Sequence, residues 1–206
     1  MSSAQPPRPP KPPQLRKWPP PLRPSPAGKP AQEQPAKSPS PAHPARSGKT
    51  STSALRAEHD QILASIRAIA TRVESLHEQT TTNQMAMARE VLEFVRKQIA
   101  PHARAEEYTV YPAADWAAGE GSKLTELPRY EHLLVARYCE SLDEAIQKGA
   151  TVGRLMHLCY SVLALIAAHF EVTNAVILPY LDEAFDVARF EKEVLTPLRA
   201  ERAAKR

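Results

Sequence analysis

Four histidines, His59, His102, His132 and His169, each fall on the apolar line of a separate amphipathic segment, and Glu106 follows His102 by four residues. A neutral imidazole among aliphatic side chains has two ring nitrogens to satisfy, and each unpaired polar group costs about 1–3 kcal/mol. Four such rings facing one another need a shared partner. A cation is the simplest, since imidazole and carboxylate together suit iron, zinc or manganese. Residues four apart lie on one helix face, so His102 and Glu106 can serve one metal centre. Without a cation Glu106 would be an unpaired anion in a core. A single histidine on an apolar face is ordinarily a core residue bonded to a carbonyl, so the joint placement carries the metal reading. His77 and His157 fall off these lines. His157 precedes His169 by 12 residues, about 120° around a helix. Glu107 is expected to point away, as a solvated or ligand-orienting residue. Glu58 and Glu131 adjoin the histidines and could orient imidazoles of neighbouring helices or stay solvated. Tyr108 and Tyr111 read as packing residues.

The elements that must position these groups are helices. Leu55, Ile62, Ile66, Ile69, Val73 and Leu76 recur at steps of three and four, with His59 filling the gap, and predict a helix from a Ser/Thr cap near Ser53 to about Gln79. Leu92, Val95, Ile99, His102, Glu106 and Val110 predict a second over about 83–113, kinked at Pro101. Gly119-Glu120-Gly121-Ser122 is a loop, and the third helix, about Thr125–Lys148, ends at Gly149. Leu155, Leu158, Val162, Leu165, His169, Thr173 and Val176 mark a fourth from near Thr151 to about Ala184, and a short basic helix follows Asp186. The fold class is all-α, an up-down-up-down four-helix bundle. An internal repeat supports it: Glu58-His59 matches Glu131-His132, while His102 and His169 are each followed ten residues later by a proline, Pro112 and Pro179. Pseudo-twofold symmetry would put the four histidines at one level of the core.

Composition divides the 206 residues into three parts: a tail at 1–50, the bundle at 51–186 and a C-terminal basic helix or tail at 187–206. Sixteen of the 21 prolines and a net charge of +8 lie in residues 1–50, whereas residues 51–206 carry −4. The tail has almost no aliphatic side chains and is read as disordered, with polyproline II character. Its Arg8, Lys11, Arg16, Lys17, Arg23 and Lys29 would attract a polyanion in a salt-dependent way, and Pro6-x-x-Pro9-x-Lys11 fits a proline-groove pattern that chance supplies in such a tract. Cys139 and Cys159, the only two cysteines, lie in apolar helical patterns, which excludes a disulfide framework and fits a reducing compartment. No run of about 18 uncharged apolar residues and no secretory signal is present, so a cytoplasmic protein without a transmembrane segment is expected.

Over about residues 53–185 the chain resembles the hemerythrin-like, HHE cation-binding domain, through Glu58-His59, PHARAEEYTVYP at 101–112, Glu131-His132 and HFEVTNAVILP at 169–179. The resemblance implies a non-haem diiron centre whose matching ligands here are His59, His102, Glu106, His132 and His169. It implies binding or sensing of dioxygen, nitric oxide or peroxide, or iron handling. The pattern departs at one place. Four residues after His169, where the family repeats its carboxylate, stands Thr173, and Asn174 follows; Glu171 is about 200° away from His169 around the helix. One carboxylate offsets little of the charge of two iron ions, about +4 to +6, so the second ion should be labile or absent.

Two other readings carry different expectations. A peroxide-consuming diiron enzyme would need an exchangeable coordination position, but no separate acid, base or nucleophile constellation is visible. A metal-poor helical interaction module with a polyanion-binding tail would be indifferent to metal removal, whereas a core metal site stabilises its fold by linkage.

Overall fold

The computed structural model describes residues 50–204, and the basic tail read at 1–50 lies almost wholly outside them. Thirteen helical segments among the described residues form five rods. The first is α1 (Ser53–Glu74) with a tightened last turn, Ser75–Glu78. The second comprises α2 (Thr81–Phe94), a π turn (Val95–Ile99), α3 (Ala100–Tyr108) and α4 (Val110–Ala118). The third is α5 (Glu126–Gln147). The fourth joins α6 (Val152–Val172), a π turn (Thr173–Ile177) and α7 (Leu178–Ala184). A last rod of α8 (Val187–Phe190), a π turn (Glu191–Leu195) and α9 (Thr196–Ala203) packs α9 against α3.

The widened turns have one cause. Each precedes a proline, and in each the residue just before the ring donates its N–H five residues back: Ala100 to Val95, Leu178 to Thr173, Thr196 to Glu191. A proline ring lacks the N–H and collides with the carbonyl four residues earlier. The helix therefore opens by one residue ahead of Pro101, Pro179 and Pro197. The kink expected at Pro101 is this turn. A second interruption in the same rod falls at Thr109, whose φ of −127° and ψ of −62° leave the helical region; its Oγ1 donates to the Ala105 carbonyl at 2.7 Å.

Helix ends follow the sequence signals with one substitution of partner. Gly149, at φ +64°, closes α5 with Ala150 N bonded to Ala145 O and Gly149 N to Ile146 O, the paired bonds of a Schellman motif. At the start of α1, the capping acceptor is not the local hydroxyl but Asp182 from the fourth rod. It accepts from Thr52 N and Ser51 Oγ, both at 2.9 Å, and pairs with Arg56 at 3.1 Å.

Apolar side chains gather in two clusters. The larger contains Ile62, Ile66, Leu92, Leu142, Leu158 and Val162; the smaller contains Leu55, Val110, Ile177, Leu181, Phe190 and Leu198. Rods one, two and four contribute to both, and a buried polar layer lies between their two sets of contributions. The rod at 152–184 is long and apolar enough to cross a bilayer, but much of its apolar surface forms the inner wall of these clusters.

Candidate metal centre

The polar layer contains His59 from α1, His102 and Glu106 from α3, His132 from α5 and His169 from α6, none more than 4% exposed. The four Nε2 atoms turn inward on the single carboxylate. Glu106 Oε1 lies 3.6 Å from His59 Nε2 and 3.4 Å from His102 Nε2. Its Oε2 lies 3.5 Å from His132 Nε2 and 3.3 Å from His169 Nε2. Glu106 thus divides the layer into two halves, His59–His102 on one oxygen and His132–His169 on the other. In each half the three candidate ligand atoms lie within 4.8 Å of one another.

Hydrogen bonds on the outer side of the rings decide what the inner nitrogens can do. His59 Nδ1 is 2.8 Å from Asn174 Oδ1, His132 Nδ1 is 2.9 Å from Glu107 Oε1, and His169 Nδ1 is 3.0 Å from Glu131 Oε2. Each outer oxygen is an acceptor, so it fixes the Nδ1–H tautomer and leaves the lone pair of Nε2 pointing into the layer. The Nε2 atoms then meet in pairs, His59 with His102 at 3.2 Å and His132 with His169 at 3.3 Å. In the second pair, where both rings have an outer acceptor, two neutral Nδ1–H tautomers would repel at that distance. Among the described residues Glu106 Oε1 meets no hydrogen-bond donor within bonding geometry, despite complete burial. Ring nitrogens converging on one buried carboxylate form a set that a cation would join, and imidazole with carboxylate is a fitting donor set for one.

Electrostatics point the same way. Burial would raise the Glu106 carboxyl, but His102 foremost, then His132 and His169, outweigh it and hold the acid well below the usual carboxylate range. Burial lowers His102. For His169 the carboxylates of Glu106 and Glu131 outweigh burial and lift the ring to about 9.

The orienting groups run around the bundle. Glu107 of the second rod holds His132 of the third, Glu131 of the third holds His169 of the fourth, and Asn174 of the fourth holds His59 of the first. His102 Nδ1, on the second rod, has no partner among the described residues. Phe170 packs against three of the rings, with centroids 4.7 Å from His59 and 5.4 Å from both His102 and His169.

The structure decides between readings the sequence left open, and departs from one. Of its two alternatives Glu107 takes the ligand-orienting one, reaching His132. Glu131 orients a neighbouring ring, while Glu58 turns outward to Arg199 at 3.0 Å and Arg202 at 2.6 Å on α9. Tyr108 is exposed, but Tyr111 is fully buried, with its hydroxyl 3.3 Å from Glu106 Oε2 and 3.2 Å from His132 Nε2. Burial, reinforced by the charges of Glu106 and Glu107, pushes its phenol well above the ordinary value. On a regular helix Tyr111 would stand about 140° around from Glu106. The interruption at Thr109 brings it inside. Asn174, five residues beyond His169, is brought toward the layer at the π turn ahead of Pro179. The proline was readable; its effect on side-chain direction was not. Thr173 is fully buried and its Oγ1 has no partner among the described residues.

The family model described as the Hemerythrin HHE cation binding domain matches residues 47–194. Neither the curated proteins nor the solved structures contain a match to the chain.

Proposed function

Because the chain belongs to the hemerythrin HHE cation-binding family, we propose that it is a non-haem iron protein that binds or senses a small molecule such as dioxygen, nitric oxide or peroxide, or handles iron. His59, His102, Glu106, His132 and His169 are its metal ligands in this reading. The observation that carries it is the convergence of four Nε2 atoms from four rods on the two oxygens of one buried carboxylate. Iron suits mixed imidazole and carboxylate donors. When bound it supplies coordination positions that exchange small ligands and, with them, redox chemistry.

The protein's own part is placement and exclusion. The outer acceptors fix ring orientation, and Phe170 with the flanking apolar clusters keeps the layer dry. Ligand residues no more than 4% exposed favour a diatomic or similarly small ligand over a bulky substrate. The free cysteines fit a reducing compartment, and we assign the protein to the cytoplasm on that ground.

Elemental analysis and absorption spectra of protein purified after growth with iron test the proposal. Expected are bound iron and a near-ultraviolet and visible spectrum that changes on adding dioxygen, nitric oxide or peroxide. A protein that takes up no iron, or a spectrum indifferent to all three, would overturn it.

A further inference from the structure

The two halves of the polar layer are not equivalent. The His59–His102 half has a neutral amide, Asn174, behind one ring and, among the described residues, no hydrogen-bond partner behind the other. The His132–His169 half has a carboxylate behind each ring, Glu107 and Glu131, and a further oxygen inside, that of Tyr111. The phenolic oxygen lies within 3.3 Å of Glu106 Oε2 and 3.2 Å of His132 Nε2, beside two of the atoms that would hold an ion in this half. The ring of Tyr111 stacks on His132 at an interplanar angle of 22°, and the Arg129 guanidinium lies 5.0 Å from its centroid, a cation that favours negative charge on the phenol.

We propose that Tyr111 is a metal ligand, giving its phenolate oxygen to the ion held by His132, His169 and Glu106 Oε2, and that this half is the tight site of the centre. On ligation the phenol loses its proton to solvent and the oxygen lone pair forms the bond to the metal, with no change of oxidation state. A polyvalent cation beside the phenolic oxygen favours the phenolate. Tyr111 thereby supplies a negative charge that Thr173 does not. The His59–His102 half, with fewer anionic neighbours, is left as the labile half where a small molecule exchanges. The inference rests on the iron reading above.

The test is stepwise ferric loading of the full chain, followed by visible absorption and resonance Raman spectroscopy of protein carrying ring-deuterated tyrosine. Expected is a phenolate-to-iron band with isotope-shifted tyrosinate modes, complete at the first equivalent. It should persist in Tyr108→Phe and vanish in Tyr111→Phe, which should also bind the first iron about tenfold or more weakly, as loss of a ligand-supporting group does. Should Tyr111→Phe not fold, the isotope shift in the wild-type protein decides alone. Iron bound without tyrosinate modes, a band retained in Tyr111→Phe, or a band growing only with the second equivalent would overturn this assignment while leaving the iron reading intact. Failure to bind iron at all would overturn both.

Discussion

Glu131 Oε2 and His169 Nδ1 stand 3.0 Å apart across the α5–α6 packing, so the residue next to one inward histidine orients another. Such an outer carboxylate raises the basicity of the imidazole and holds its lone pair on the metal. Glu131→Gln keeps the shape and removes the charge. Metal affinity should fall about 10–100-fold, measured by competition with a chelator of known strength, while helix content stays unchanged. Equal affinity in both proteins would mean that the carboxylate does not act through the ring.

Metal removal should lower stability, because the ligand atoms converge only in the folded chain. At a free metal concentration about a thousand times the dissociation constant, binding adds about 4 kcal/mol. Thermal unfolding with and without a chelator reads this directly, and coincident melting curves would exclude a core site.

Thr173 gives a sign-dependent test of charge deficit. It is completely buried with an unpartnered hydroxyl. Thr173→Glu should destabilise the metal-free protein, since a buried carboxylate without a partner is costly, and should raise the number of irons retained per chain on gel filtration. Unchanged iron content would sink the idea that missing acid limits occupancy.

Phe170 supports the site from the apolar side through its contacts with His59, His102 and His169. Phe170→Ala should cost the metal-free protein about 3–5 kcal/mol in denaturant unfolding, as truncation of a fully packed aromatic does. A loss under about 1 kcal/mol would show that the ring is not packed as described.

Burial pushes the thiols of Cys139 and Cys159 up to about 12. Since the thiolate is the reactive species, both should resist iodoacetamide at pH 8 in the folded protein and react in denaturant. Rapid native labelling, read by mass spectrometry, would contradict this.

The sequence by itself determined the four helical rods, the presence of one inward histidine on each and the lone acid beside them. Burial is written into the 3.6-residue period, so a polar residue on an apolar line is legible before any coordinates. Tertiary packing decided what the period cannot express. That Glu106 gives one oxygen to each pair of rings depends on how far α1, α5 and α6 stand from α3. Glu107, Glu131 and Asn174 act on rings of adjacent rods, and a one-dimensional pattern does not record neighbours. Tyr111 lies inside because Thr109 interrupts its helix, and Asn174 comes toward the layer at the π turn before Pro179. Each irregularity rotates the residues after it off the extrapolated face by an angle that depends on where the helix yields.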